Sequence, residues 1–181
     1  LREIAGKPMI VRVYERAVRA RLVQDVVVAT DDERIRAAVE EYGGRAVMTR
    51  ADHATGTDRL AEVAEKMTDY DLIINVQGDE PLIDPAVIDA LVEPFLADAT
   101  LPMATAKTLL TDEVEMANPN NVKVITDLTG DALYFSRARI PYARNTGAKV
   151  YKHIGIYAYR RDFLLDYARM AQTPLELSES L

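Results

Sequence analysis

The chain has 181 residues, of which 49% are hydrophobic and 28% charged, and its 22 basic and 29 acidic side chains give a formal net charge of −7. This composition is typical of a globular domain, and the negative charge argues against nucleic acid as the main partner. No apolar run reaches the roughly 18 residues of a membrane span, and the absence of cysteine excludes disulfides and thiolate chemistry. The sequence therefore predicts a soluble, cytoplasmic protein in which carboxylates, hydroxyls and cations carry any chemistry.

Helices and short strands alternate through the first half of the sequence. Apolar residues at helical spacing predict helices over 8–22, 31–42, 60–67 and 84–95. Unbroken apolar runs between polar residues predict buried strands over 25–30, 45–48 and 71–76. Alternation of this kind predicts a doubly wound, mostly parallel sheet with right-handed crossovers.

The second half is richer in predicted strands and poorer in helices. Strands are predicted over 103–109, 122–126, 132–136 and 150–159, and helices over about 160–171 and from Pro174. Mixed or antiparallel pairing is therefore expected there. We interpret the chain as a single α/β domain over residues 1–181. Because it opens on a helix and stops inside another, we expect further sequence beyond both ends.

The loop after the strand 71–76 is the strongest candidate for a binding site, because open α/β sheets bind ligands at the carboxyl ends of their strands. It places Gln77, Gly78 and Asp79 directly after a buried run. A carboxylate held there suits Mg²⁺, which prefers oxygen ligands and shares them with substrate phosphates. The alternative is that Asp79 merely caps the following turn, and the sequence leaves both interpretations open.

The loop over 49–59 is a second candidate. It leads into a helix start with hydroxyl side chains and free backbone N–H groups, between two arginines. Such a loop suits the base, sugar or phosphates of a nucleotide, although a capped loop with surface arginines explains the spacing equally well. A lone loop histidine such as His53 is usually solvated. The residues that the loop offers are Arg50, Thr55, Gly56, Thr57 and Arg59.

Cations and a histidine mark the second half of the sequence. Arg137 and Arg139 follow a predicted strand, and a guanidinium suits bidentate capture of a carboxylate or phosphate. Alternation places His153 and Tyr157 on one face of the last strand. The alternative for His153 is a hydrogen bond between strands. Glycine-rich dinucleotide fingerprints, Walker loops and Gly-x-Ser-x-Gly elbows do not occur in the sequence.

Six segments in one order carry a family resemblance: Gly6–Ile10, 49–59, Asn75–Pro81, Asn118–Lys123, Tyr134–Pro141 and His153–Tyr157. Together they resemble the 3-deoxy-manno-octulosonate (KDO) cytidylyltransferase family, and the likeness covers essentially the whole chain. The resemblance implies a Rossmann-like nucleotidyltransferase fold. It also implies an enzyme that couples CTP and KDO to give CMP-KDO and pyrophosphate for lipopolysaccharide synthesis.

The same resemblance implies Mg²⁺ as cofactor and a homodimer, with a dimerisation subregion at roughly 130–160. Asp79 and Arg137 would be catalytic, and Asp79 would hold the metal ion against the CTP phosphates. The residues implied around the nucleotide are Arg50, Thr55, Gly56, Thr57, Arg59, Gln77 and Gly78. Those implied on the sugar side are Arg137, His153, Tyr157, Glu176 and Glu179.

The sequence also departs from the family pattern. The family's opening strand with its phosphate loop, and its second metal-binding aspartate, are expected outside residues 1–181, and the stretch 144–148 is short for the family's dimer region. Two alternatives stay open: a cytidylyltransferase for another acidic sugar, such as amino-KDO or sialic acid, or a degenerate homologue that binds nucleotide without catalysis. An NAD-dependent Rossmann enzyme is disfavoured, because its fingerprint is missing.

Overall fold

A computed structural model of the chain describes residues 1–145 and 147–181. The chain forms two compact units: the first holds residues 1–104 and 156–170, and the second holds residues 105–155 and 171–181. Compact units of this kind do not decide the number of domains, so the single domain over 1–181 stays a prediction. The stretch 144–148 contains Thr146, which lies outside the described residues.

Helices and strands alternate through the first half, as the sequence predicts. The strands are β1 (Glu3–Ile4), β2 (Lys7–Pro8), β3 (Val28–Thr30), β4 (Ala46–Met48), β5 (Leu72–Asn75), β6 (Met103–Leu110), β7 (Lys123–Thr126), β8 (Ala132–Ser136) and β9 (Val150–Arg160). The helices are α1 (Met9–Ala17), α2 (Glu33–Glu41), α3 (Gly56–Lys66), α4 (Pro85–Ala97), α5 (Glu113–Ala117), α6 (Arg161–Tyr167) and α7 (Pro174–Glu179).

Side-chain caps fix where the helices of the first unit begin. The Asp32 carboxylate accepts a hydrogen bond from a backbone N–H in the first turn of α2, and Asp84 does the same for α4. Thr55 and Asp58 form a reciprocal capping box at the start of α3. Because α2 and α3 follow β3 and β4, these caps also set the positions of the loops at the ends of those strands.

β3 and β4 form a parallel pair in the first unit. Val28 lies opposite Ala46, and Thr30 lies opposite Met48. The predicted strand over 25–30 is shorter in the structure, because its pairing begins only where β4 begins. The parallel pair nevertheless confirms that these two buried runs lie side by side with their carboxyl ends at one edge.

β5 pairs differently from β3. It runs antiparallel to the second half of β9, with Asn75 opposite Tyr157. Residues 23–29 and 71–76 line one cavity of about 690 Å³ in the first unit. The α/β fold class with a mixed sheet is confirmed, but the observed partner of β5 comes from the last strand. An apolar run that is buried on both faces does not specify its partner.

The strands of the second unit pair as the sequence predicts. β7 runs antiparallel to β8, with Lys123 opposite Ser136, and antiparallel to the first half of β9, with Lys123 opposite Lys152. This ladder places the end of β8, and the segment that follows it, next to the start of β7. Arg137 is the first residue of that segment.

One part of the core of the first unit forms where α3 and α6 meet β9. Tyr159 and Leu164 are 2% and 0% exposed and pack with Ala61 and Ala64. The ring of Tyr159 also stacks on that of Tyr157, with their centroids 5.9 Å apart. This packing holds α3, and with it the loop that precedes α3, against the sheet. Among the described helices, none combines the length and the apolar character that crossing a bilayer requires.

Candidate active site

Two cavities lie in the first unit. The cavity of about 690 Å³ runs along residues 23–29 and 71–76, and Gly56, Arg59, Gln77 and Gly78 are among the residues that line it. A second cavity of about 400 Å³ lies at the end of β3, and Arg59 and Gly78 line it together with Asp31. Four of the residues predicted to bind nucleotide therefore meet around one space, although they come from α3 and from the loop after β5.

Arg59 ties the ends of β3 and β4 together. Its Nη1 donates to the Thr49 hydroxyl over 2.7 Å and lies 3.0 Å from the Asp31 carboxylate. Thr49 is buried and Arg59 is partly buried, so solvent screens this contact less than it screens a surface pair. The arrangement holds a guanidinium beside both cavities. Asp31 is a member of the site that sequence reasoning missed.

A histidine–glutamate pair holds the loop over 49–55. His53 Nε2 lies 2.6 Å from Glu62 Oε2, and the same carboxylate oxygen accepts the backbone N–H of Arg50 over 3.0 Å. The His53 side chain is only 4% exposed, so the expectation of a solvated histidine is wrong. The loop folds back on α3, and the burial of His53 follows from its contact with Glu62 on that helix.

Charge and hydrogen bonding lower the pKa of Glu62 from 4.5 to about 2. The hydrogen bond with His53 is the largest cause, followed by the Arg50 N–H and by Lys66. All three favour the ionised carboxylate. Glu62 is therefore the charge that fastens this loop to α3, and its place on a predicted helix does not by itself indicate that role.

The Thr55 hydroxyl, which caps α3, is engaged within the protein, because it accepts a hydrogen bond from the Asp58 N–H. The first-turn N–H groups of α3 are what this loop can offer a phosphate. The Arg50 side chain is 69% exposed and reaches Asp52. Among the described residues, Arg50, Thr55 and Thr57 are not part of the lining of the larger cavity.

Asp79 follows β5 on an exposed turn. Backbone hydrogen bonds close this turn, from the Glu80 N–H to the Gln77 carbonyl and from the Ile83 N–H to the Glu80 carbonyl. The Asp79 carboxylate is therefore not needed to close it. Within residues 1–145 and 147–181, no three His, Asp or Glu side chains cluster closely enough to hold a metal ion by themselves. The assignment of Asp79 to a metal stays a prediction.

Glu179 of α7 organises the end of β8 in the second unit. Its carboxylate accepts the Tyr134 hydroxyl over 2.8 Å, the Ser136 hydroxyl over 2.9 Å and the backbone N–H of Arg137. These bonds, the one from the Arg137 N–H first, lower the pKa of Glu179. Two residues that the sequence places on the sugar side therefore lie together. The carboxylate of Glu179 positions protein groups in this arrangement.

The guanidinium of Arg137 is held by carbonyl oxygens. Nε donates to the Glu179 carbonyl over 2.6 Å, Nη1 to the Pro119 carbonyl over 3.1 Å and Nη2 to the Ser180 carbonyl over 3.1 Å. A planar group with five donors can make these bonds and still present N–H groups to an acid. Its orientation is thus fixed by backbone from the loop over 118–121 and from the C-terminal end of α7.

The remaining predicted sugar-side residues are His153, Tyr157 and Glu176. In the second unit, His153 Nε2 lies 2.8 Å from the Thr105 hydroxyl, a contact between strands, and burial lowers the pKa of His153. In the first unit, burial raises the pKa of Tyr157. Glu176 forms a capping box with Thr173 at the start of α7. Their roles toward a sugar stay predictions.

Comparison with known proteins identifies close relatives. The family model described as Cytidylyltransferase matches residues 1–181. A 3-deoxy-manno-octulosonate cytidylyltransferase of Geobacter metallireducens is 55% identical; the match covers 100% of this chain and 76% of the relative. Another from Fusobacterium nucleatum subsp. nucleatum is 52% identical, with 100% and 74% covered.

The structural comparison agrees with the sequence comparison. A solved structure of CMP:2-keto-3-deoxy-manno-octonic acid synthetase complexed with CTP matches with a TM-score of 0.95 at 49% identity, covering 100% of this chain and 75% of that chain. The 4-diphosphocytidyl-2C-methyl-D-erythritol synthase of Anaerococcus prevotii matches with a TM-score of 0.59 at 15% identity, covering 98% of this chain and 74% of that chain. This second match shows a shared fold alone.

The Glu62 carboxylate makes stability depend on pH. Because its pKa is lower in the folded chain than the ordinary 4.5, its contribution is fully present above 4.5 and is lost as the pH falls toward about 2. We expect Glu62→Gln to be less stable than the wild type at pH 7, with the difference shrinking steadily below pH 4.5. Urea unfolding of both proteins over this range measures the difference.

The control for this experiment is Glu41→Gln, which changes an exposed carboxylate at the end of α2. Its stability difference from the wild type should stay within about 0.5 kcal/mol throughout. A Glu62→Gln difference that does not vary with pH would contradict the assignment.

Proposed function

The chain belongs to the cytidylyltransferase family, and from that premise we propose that it is a 3-deoxy-manno-octulosonate cytidylyltransferase. It would join CTP and KDO to give CMP-KDO and pyrophosphate, and the CMP-KDO would serve lipopolysaccharide synthesis. The observation that carries the proposal is the likeness, over the whole chain, to relatives of this name. The position of Gly78 supports it, because this residue lines both cavities and follows the carboxyl end of β5, where open α/β sheets bind ligands.

For the nucleotide we propose the larger cavity of the first unit, where Gly56, Arg59, Gln77 and Gly78 meet. Arg59 supports this placement, since a guanidinium suits phosphate oxygens and is already held in place by protein groups. A chain with a net charge of −7 needs such local positive groups to attract a triphosphate. The loop residues Arg50, Thr55 and Thr57 would complete the nucleotide contacts.

For the sugar we propose Arg137 as the partner of the KDO carboxylate. Bidentate pairing between guanidinium and carboxylate gives both attraction and a fixed orientation. The support is that carbonyl oxygens hold the Arg137 group at Nε, Nη1 and Nη2. Glu179 would act mainly by positioning Arg137. His153, Tyr157 and Glu176 are proposed as further sugar-side residues.

The reaction is a substitution at phosphorus. The anomeric hydroxyl oxygen of KDO attacks the α-phosphorus of CTP and forms a new P–O bond. The bond from that phosphorus to the oxygen bridging to the β-phosphate breaks, pyrophosphate leaves with the electron pair, and the hydroxyl proton passes to water. Because negative charge builds on phosphate oxygens, the protein must position both reactants and neutralise charge. Arg59 and Arg137 are suited to these tasks.

Asp79 is proposed as a ligand of Mg²⁺. An exposed carboxylate at the end of a buried strand fits this ion, which commonly binds one or two protein carboxylates, water and substrate phosphates. When bound, the ion would supply charge neutralisation at the α-phosphate.

We also propose a cytoplasmic homodimer, with the contact at roughly 130–160. Large apolar side chains are exposed in this region: Leu133 is 64% exposed and Tyr142 is 91% exposed. Exposed groups of this type are enriched in the buried centre of subunit interfaces. A cytoplasmic location agrees with the use of CTP as substrate.

Two other functions stay open as alternatives. One is a cytidylyltransferase that uses amino-KDO or sialic acid, since each of these also carries the carboxylate that Arg137 would bind. The other is a homologue that binds the nucleotide without turning it over. The names of the relatives favour KDO. A direct assay separates the KDO enzyme from these two alternatives.

The assay supplies CTP, Mg²⁺ and one sugar at a time and measures pyrophosphate release. We expect release with KDO to exceed release with amino-KDO or sialic acid by at least about tenfold in kcat/KM, since contacts to polar groups of the right sugar discriminate strongly. Preference for another sugar would replace KDO in the proposal. Nucleotide binding without release from any sugar would establish the non-catalytic alternative.

Asp79→Asn tests the role of the carboxylate. Loss of its charge should lower kcat by about 100-fold or more, because charge stabilisation in the transition state would be weakened. The Mg²⁺ concentration needed for half-maximal rate should rise as well. Asp166→Asn, which removes an exposed carboxylate on α6, is the matched control and should keep the wild-type rate. Unchanged turnover and Mg²⁺ dependence in Asp79→Asn would refute this role.

A further inference from the structure

Lys123 is a buried cation that the proposed reaction does not use. It is the first residue of β7 and is 0% exposed. Its Nζ donates to the backbone carbonyls of Asn118 over 3.0 Å, Asn121 over 2.6 Å and Arg137. All three N–H donors of the ammonium are therefore satisfied by backbone oxygens. Within the described chain, no carboxylate forms an ion pair with it.

A buried ammonium of this kind needs a physical reason. Taking a charge out of water is costly, and an apolar side chain of similar volume usually fills such a position with equal or greater stability. Burial accordingly lowers the pKa of Lys123, while the charge of Glu179 opposes that effect. The reason must lie in what the three bonds hold in place. They join the loop over 118–121 to the backbone of residue 137.

The same loop also holds the Arg137 side chain. The carbonyl of Pro119, between the two loop carbonyls that Lys123 binds, accepts the Arg137 Nη1 group. Lys123 thus fixes Arg137 twice: directly at its backbone carbonyl, and indirectly through the loop that orients its guanidinium. The loop over 118–121 lies between α5 and β7, and the Asn121 side chain also ties it to Glu115 of α5. Of the bonds that hold this loop, those of Lys123 are the ones that join it to the backbone of Arg137.

Resting on the proposed function, we propose that Lys123 is a positioning residue that sets the affinity for the acidic sugar by fastening the loop over 118–121 to Arg137. It does not touch the sugar. Its removal should turn the Arg137 guanidinium away from the place of the carboxylate while the nucleotide side is preserved. The effect should therefore fall on the sugar and not on CTP.

The test is a double-mutant cycle with Lys123→Met, Arg137→Ala and the double variant in the full protein. We expect Lys123→Met to raise KM for KDO about tenfold or more, with KM for CTP changed less than about twofold. Added to Arg137→Ala, it should have little further effect, because both changes remove the same interaction. Lys107→Met removes an exposed ammonium in the same unit and should leave both KM values unchanged.

A second substrate gives a readout that mere loss of stability would not move. The wild type should favour KDO over its methyl ester, which lacks the negative charge, and Lys123→Met should lose most of that preference. If Lys123→Met does not fold, Lys123→Gln, which keeps two N–H donors, carries the same test. Parallel rises in both KM values, or additive effects with Arg137→Ala, would overturn the inference. A wild type that releases no pyrophosphate from CTP and KDO would instead refute the proposed function on which it rests.

Discussion

The contact of Arg59 with Thr49 and Asp31 is the constraint on which the first unit's site depends. A parallel pair of strands places the ends of β3 and β4 side by side, but the loops that follow are polar and would be mobile without a tie. One guanidinium from α3 supplies that tie, at 2.7 Å to the hydroxyl and 3.0 Å to the carboxylate. Ala61 and Ala64 of α3 pack against Tyr159 of the sheet, so the helix that carries Arg59 is itself held by the core.

In the second unit, backbone oxygens hold the charged side chains of the candidate site in place. Lys123 and Arg137 each donate to three carbonyls, and Glu179 accepts from the end of β8. Charge-assisted hydrogen bonds of this kind are stronger than neutral ones and are directional. The exposed pairs of α2, such as Arg36 with Glu40, contribute little by comparison. Charges in partly buried positions therefore shape the candidate site more than those on the surface do.

Local sequence predicted the elements and the loops better than it predicted the partners. The apolar run before Gln77 indicated β5, and its carboxyl end was the right place to look for a cavity. The pairing of Asn75 with Tyr157 was not predictable, because strand partners distant in sequence are chosen by packing across the whole sheet. The burial of His53 was not predictable either, because it depends on a contact with Glu62 in the next helix.

Some of the site residues were likewise predicted from the local sequence, and others were not. Arg59 and Gly78 were predicted from loop chemistry, and they line the cavities. Asp31 and Lys123 were not singled out, although a lysine inside an apolar strand is an available signal: Lys123 stands between valines. A charged residue in a buried run indicates a structural or a site residue, because a buried charge requires hydrogen-bonding partners.

A crystal structure of the protein with CTP tests most directly whether Arg59 and Gly78 bind the nucleotide. We expect CTP in the larger cavity of the first unit, with a phosphate or ribose oxygen within hydrogen-bond distance of Arg59 and backbone contact at Gly78. CTP bound away from these residues, with Arg59 still directed only at Thr49 and Asp31, would contradict this placement.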